Sequence, residues 1–286
     1  MPETLAADVV RLAEPSSHPD GEPFRALSVK NVQALAERYR IPGRDVEITA
    51  LKSNILPQRY SRNMKAFSLR QQAELLGSSV TVVGLGGLGG TVAELLARTG
   101  VGTLHVVDGD RFEESNLNRQ ALCTEETLEM TKVSAAVNRI RAINSSIVVS
   151  PHETYLTEET GPSIIGDSLA VVDCLGGVTE RFMLEKAAKQ AARPLISAAM
   201  AGLSGHVTTI FPEDRGLELI YGNPRDLPSD GAEAVLGCPP QTMNILASCQ
   251  CSEVVKVLLK QENVLRNRML ALDLEDYTFE IVSLYP

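Results

Sequence analysis

The residues most able to do chemistry begin at a run of glycines, Gly84-Leu85-Gly86-Gly87-Leu88-Gly89-Gly90. Gly84, Gly86 and Gly89 fill the spacing G-x-G-x-x-G, after an apolar, β-branched run, Ser79 to Val83, and before a helical pattern that ends at Thr99. Glycines let a backbone turn tightly and approach a phosphate. The start of the following helix offers unpaired N–H groups and the positive end of the helix dipole. Asp108 ends the next expected strand, nineteen residues after Gly89, where a carboxylate can accept hydrogen bonds from ribose hydroxyls. The plain alternative is a tight strand–helix turn without a ligand and a solvated acid at a strand end. On its own the pattern suits NAD better than ATP, so it does not choose the reaction.

A second set of residues does. Asp108-Gly109-Asp110 is followed by Ser115-Asn116-Leu117-Asn118-Arg119-Gln120, and Lys132 lies twelve residues further on. Upstream stands Arg59-Tyr60-Ser61-Arg62-Asn63. Singly these are ordinary: a charged loop is usually solvated, and a lysine at a helix start usually faces water. Together, from about Arg59 to Val282, they resemble the MoeB/ThiF/HesA family, which is related to ubiquitin-activating enzymes. The resemblance implies that Gly86 and Gly87 lie against nucleotide phosphates and that Asp108 binds the ribose. It implies that Asn116, Arg119 and Lys132 contact a triphosphate, and that Arg62 reaches the phosphates of a neighbouring subunit, making a homodimer part of the site. Arg62, Arg119 and Lys132 are then the candidate catalytic residues. Gly84, Gly86, Gly87, Gly89, Asp108, Asp110, Asn116 and Asn118 are the candidate nucleotide-binding set. The implied reaction uses ATP and Mg²⁺ to adenylate the C-terminal glycine of a ubiquitin-like sulfur carrier ending in Gly-Gly. A carboxylate attacks the α-phosphorus and pyrophosphate leaves. Fixed cations stabilise the growing negative charge, and positioning supplies much of the rate.

Three features depart from that family. Its D-x-x-D-N after the strand Leu169 to Asp173 is here Asp173-Cys174-Leu175-Gly176-Gly177, so the second acid is missing at Gly176. Either Asp110 or Glu180 replaces it, or the chain is a non-catalytic nucleotide-binding or scaffold subunit; Glu180 reads more simply as a helix-start acid. The two C-x-x-C pairs of zinc-binding relatives are absent, so no structural zinc is expected. Cys249 and Cys251 fall in an expected helix and read as buried core. Cys238, in the loop Leu236 to Pro240, occupies the region where relatives carry a reactive thiol. No cationic neighbour is visible in the sequence, so a structural role is preferred. A third reading, an NAD-dependent oxidoreductase, lacks an obvious base, because His18, His105, His152 and His206 are scattered.

These residues need a scaffold. The 286 residues are 44% hydrophobic and 22% charged, an ordinary globular composition. The formal charge of -9 argues against nucleic-acid binding. No basic-then-apolar leader and no apolar run of about 18 residues is present, so neither a secretory signal nor a membrane span is expected. The five cysteines suit reduced thiols in the cytoplasm. Strands expected at 79–83, 103–108, 147–149, 169–173 and 194–197 alternate with helices at 89–99, 132–143 and 179–192, which implies parallel βαβ units. Strands at 206–211, 269–272 and 277–282, with a long helix at 243–260, imply an antiparallel extension ending in a hairpin. The expected fold is α/β: a Rossmann-like mixed sheet, parallel in its N-terminal part, with helices on both faces. Residues 1–58, with helices at 29–39 and 45–55, are expected to form a helical extension to an ATP-binding adenylation domain, 59–286. A further helix, 68–76, should open on the capping box of Ser68 and Gln71 and stop at Gly77.

Overall fold

The computed structural model describes residues 4–226 and 231–285. The N-terminal segment folds as α1 (Leu5–Leu12), β1 (Glu14–Ser17), β2 (Pro23–Leu27), α2 (Val29–Tyr39), α3 (Gly43–Lys52) and β3 (Leu56–Pro57). It is therefore not a purely helical extension. Its three strands form a small sheet in the order β1-β2-β3, antiparallel then parallel. Strands this short, each carrying a proline, give no alternating pattern to detect. Val9, Leu27, Val32, Leu35, Val46 and Ile55 form a buried cluster of their own beneath them. Helix α2 has the expected limits, with Ser28 accepting from the Asn31 N–H. Helix α3 starts two residues earlier than the pattern suggests and ends at Lys52, because Asn54 turns left-handed (φ 58°) before the strand.

The main body opens with α4 (Leu69–Leu76), whose capping box has both expected hydrogen bonds. Then come β4 (Ser79–Val83), α5 (Gly87–Thr99), β5 (Thr103–Val107), α6 (Lys132–Ile143), β6 (Val148–His152), α7 (Gly161–Ile165), β7 (Ala170–Asp173), α8 (Val178–Gln190), β8 (Leu195–Ala201) and β9 (Ser204–Ile210). The chain finishes with α9 (Glu218–Tyr221), α10 (Glu233–Leu236), α11 (Pro240–Leu258), β10 (Arg268–Asp273) and β11 (Thr278–Ser283).

One eight-stranded sheet runs β11-β10-β9-β8-β7-β4-β5-β6. The five strands from β8 to β6 are parallel, and β9, β10 and β11 continue the sheet antiparallel. This is the expected α/β class. Alternate residues of each strand feed opposite cores. Val80, Val82, Leu104 and Val106 pack with Leu96 of α5 and Ile140 of α6 on one face. Val83, Val107 and Val171 pack with Leu184 and Ala188 of α8 on the other. The chain leaves β4 towards β6, then returns to the far side of β4 through β7. That reversal opens a crevice at the carboxyl ends of β4 and β7, the place where open parallel sheets take ligands. Among the described residues, no helix is long and apolar enough to cross a membrane.

Candidate active site

The crevice is shaped by the turn from β4 into α5. Gly84 is left-handed (φ 86°), and a Cβ there would lie 2.7 Å from the Cys174 carbonyl oxygen, so no other residue fits without moving β7. A Cβ on Gly89 would lie 1.7 Å from the Gly84 oxygen, which shows how closely α5 packs on the turn. Helix α5 has Gly86 as its cap and no side chain bonded to its first N–H groups, which leaves them for a ligand.

Asp108 anchors this turn. Its Oδ2 accepts from the Leu85 N–H at 2.6 Å and its Oδ1 from the Asp110 N–H at 2.8 Å. Burial pushes its pKa up, against the two backbone bonds and the nearby Lys132. Each carboxylate oxygen keeps a second lone pair for a further donor, such as a ribose hydroxyl. Lys132, the first residue of α6 behind its Thr131 cap, is buried, with Nζ 2.7 Å from Asp110 Oδ2 and 4.0 Å from Asp108 Oδ2. The Tyr155 hydroxyl donates to the other oxygen of Asp110. Burial alone would raise the Asp110 pKa; the bonds from Lys132 and Tyr155 outweigh it and hold the group below the usual carboxylate range.

The cleft so formed has a volume of about 330 Å³. Its walls bring together Gly84, Gly86, Gly87, Asp108, Asp110 and Lys132. Other candidates lie elsewhere. Gly89 is buried behind the turn. Asn116 is buried in the following loop, where its Oδ1 accepts from the Glu113 N–H at 3.2 Å. Arg119 donates to the Ser115 carbonyl at 2.7 Å and to Asn118 Oδ1 at 2.9 Å, and only its backbone oxygen approaches Gly87. Arg62 is exposed and does not line the cleft of its own chain.

The cleft also contains residues to which the sequence assigned no role. Gln120 closes the S-N-L-N-R-Q run, lines the cleft beside Gly86, and keeps its Oε1 buried without a partner. Tyr155, Met243 and Glu233 contribute side chains from distant parts of the chain. Arg181 is buried at the far wall and donates to Asp173 Oδ2 at 3.1 Å and to the Leu175 and Ala198 carbonyls. Asp173 is also bound by Ser197 Oγ at 2.6 Å and the Leu175 N–H at 3.1 Å, so this pair fixes the loop after β7. No sequence pattern singled out Arg181, whose burial depends on Asp173 and on carbonyls of two other segments.

Gly176 sits on that loop at the cleft edge, and a Cβ there would meet nothing within 4 Å. The exposed Glu180 folds its carboxylate back against Gly177, off the cleft wall, whereas Asp110 lies on it. Cys238 is half-buried on the wall; burial pushes its thiol up, against the opposing charge of Arg119. Cys251 is buried, but Cys249 is only half-buried at the core's edge, which corrects the expectation for that residue. Among the described residues, no group of three or more His, Cys, Asp or Glu side chains is placed to hold a metal.

The ThiF family profile matches residues 60–286. The chain is 33% identical over 244 residues to "Adenylyltransferase and sulfurtransferase MOCS3" of Culex quinquefasciatus, covering 83% of this chain and 55% of that one. It is 32% identical over 229 residues to the "SAMP-activating enzyme E1" of Haloferax volcanii, covering 78% of this chain and 84% of that one. It thus spans about half the length of the MOCS3 relatives. Among solved structures, Escherichia coli MccB with MccA-N7isoASN superposes with a TM-score of 0.69 at 19% identity, covering 96% of this chain and 95% of that one. MccB with ATP gives 0.65 at 20% identity, covering 88% and 82%. The profile over residues 60–286 and the relatives above 30% identity show that the chain belongs to the ThiF family.

Proposed function

We propose that this protein uses ATP to adenylate a C-terminal carboxylate, with a ubiquitin-like sulfur carrier ending in Gly-Gly as its substrate. The observation that carries the reading is the buried Lys132, held with Asp108 and Asp110 beside an uncapped helix start. A triphosphate laid on the helix start would meet N–H donors at one end and the Lys132 ammonium at the other. Lys132 would then exchange part of its contact with Asp110 for phosphate oxygens. Asp110, whose side chain is 45% exposed, fits the one carboxylate that a Mg²⁺ ion on a triphosphate requires. The bound ion would supply charge opposite the departing pyrophosphate. Arg119, whose charge acts on Cys238 of the cleft wall, would have to give up its local bonds to Ser115 and Asn118 to contact the same phosphates. Arg62, exposed and away from its own cleft, is free to serve the partner's site in a homodimer. Two relatives are named for adenylyl transfer or for activating a protein, and one neighbour was solved with ATP. The cytoplasm, with ATP and reduced thiols, suits this chemistry.

The test is ATP–pyrophosphate exchange with a panel of ubiquitin-like carriers. Carrier-dependent exchange that is lost in Arg119→Ala and Lys132→Ala is expected. Exchange that survives both changes removes the site assignment, and calorimetry showing NAD binding with no ATP binding favours the oxidoreductase reading instead. The open space at Gly176 supports one second reading, a member that binds ATP without turning it over. Because that space admits a side chain, Gly176→Asp should fold normally. Activity that appears only in Gly176→Asp would establish the second reading, and strong wild-type exchange would remove it.

A further inference from the structure

A second cavity, of about 390 Å³, adjoins the nucleotide cleft. The two share a wall, because Gly176, Arg181, Met200 and Glu233 line both. That wall carries no side chain at Gly176, where a Cβ would find no neighbour within 4 Å. Beyond it, β8 and β10 present Ala199, Ala201 and Ala271, and these small residues are what leave the floor open. The polar groups inside are paired and uncharged overall. His206 Nε2 lies 3.4 Å from the Tyr221 hydroxyl. Burial, helped by the charge of Arg181, holds the His206 pKa down at about 4, so the ring is neutral at physiological pH. Arg181 itself is answered by Asp173. Among the described residues, the one unpaired charge on the walls is the carboxylate of Glu233, at the rim shared with the cleft.

We propose that this cavity is a side-chain pocket for the acyl substrate, and that it takes a bulky, uncharged side chain from the last or next-to-last residue of the chain whose carboxylate is activated next door. The choice of ligand rests on the adenylation reading above. A chain end that brings its carboxylate to the glycine turn across Gly176 passes the mouth of this cavity. The volume lies within the range of small-molecule sites and suits an aromatic or long aliphatic group. A charged acid would meet Glu233 and no free cation, so it is selected against by repulsion as well as by desolvation. A Gly-Gly end would leave the cavity unfilled, so this pocket keeps the adenylation of a C-terminal carboxylate and replaces the Gly-Gly end named above. The pocket therefore favours carriers or peptides with a large apolar residue at their end.

The chain contains no tryptophan, so a tryptophan in a peptide reports by itself. Short peptides ending in Xaa-Gly or Gly-Xaa, with Xaa as Trp, Phe, Leu, Gly or Asp, are titrated into the full chain saturated with a non-hydrolysable ATP analogue. The same peptides are then run in pyrophosphate exchange. In one of the two series, Trp and Phe should bind at least about tenfold more tightly than Gly or Asp, the scale of filling an apolar pocket, with a blue shift of tryptophan emission. Ala271→Met and, independently, Ala201→Leu should abolish that preference while affinity for the ATP analogue stays within about twofold, which also shows that the variants fold. Equal binding by all peptides, or a preference that survives both variants, overturns the pocket. Exchange that is indifferent to Xaa removes the pocket and leaves the adenylation reading. Selective binding without any exchange does the reverse.

Discussion

In the proposed reaction Lys132 supplies a positive charge to the cleft and Asp110 holds it in place. The ammonium lies against Asp110, and Tyr155 holds the other carboxylate oxygen. If the cleft catalyses the proposed adenylation, removing the lysine deletes a cation from the place where charge develops, whereas removing the tyrosine hydroxyl only loosens Asp110. Lys132→Met should therefore lower carrier-dependent exchange by about 10²- to 10³-fold. Tyr155→Phe should cost less than about tenfold. Similar effects from the two would mean that the hydrogen-bond frame, not the charge, governs the reaction. The pH dependence has a definite sign. The Asp110 pKa is depressed below its ordinary 3.8, so the stabilisation from its ion pair is complete above that value and is lost only as pH falls through the lower, folded one. Exchange rates between pH 6 and 9 should thus show no inflection from Asp110, and an inflection abolished by Asp110→Asn would contradict the pairing.

At the scale of elements, the turn from β4 to α5 makes contrasting demands on its glycines. A methyl at Gly89 collides with a backbone carbonyl at 1.7 Å, and backbone cannot yield without shifting the helix. A methyl at Gly87 collides with the Met243 sulfur at 2.0 Å, the far end of a flexible side chain. Gly89→Ala should lose about 3 kcal/mol and roughly 6–12 °C of Tm. Gly87→Ala should cost less than about 1 kcal/mol yet weaken ATP binding, because the new methyl and the displaced methionine enter the cleft. Thermal melts that rank the two variants the other way would refute this packing. The same turn shows what was legible beforehand. The strands around it, the Ser28 and Ser68 caps and the Lys132 helix follow from local rules, apolar runs and capping spacings, and the structure has them within a few residues. The small N-terminal sheet was not legible, since β3 is two residues long and pairs only through β2. Nor were Tyr155, Arg181 and Met243, whose roles depend on neighbours far along the chain. Gln120 was visible in its motif, but its unpartnered oxygen depends on burial, which no spacing reports.

Across the whole molecule, the boundary expected near residue 58 is crossed by a buried polar network. Glu47 of α3, fully buried, accepts from the Tyr60 hydroxyl at 3.2 Å and lies 3.1 Å from Arg59 Nε. That contact is off the N–H axis, an ion pair without a proper hydrogen bond. Arg59 also binds Asn144 Oδ1, and Asn144 Nδ2 reaches the Tyr60 hydroxyl and the Ala97 carbonyl of α5, both at 2.9 Å. The N-terminal segment and the sheet that carries the cleft should therefore unfold together, in one transition. Burial holds the Glu47 pKa above its ordinary 4.5, against the opposing charge of Arg59. Arg59→Met removes that opposition and pushes the pKa higher still. A raised acid pKa means the folded state resists losing the proton, so the penalty is absent below 4.5 and grows as pH rises towards the folded value. Urea unfolding of Arg59→Met should then show a deficit of about 3–5 kcal/mol at pH 7, the cost of a buried charge left alone. Near pH 4, where Glu47 is protonated in both states, the deficit should shrink to about 1 kcal/mol. An equal deficit at both values would mean that Arg59 acts through packing alone. A second, separate transition would mean that residues before Arg59 fold independently of the sheet that carries the cleft.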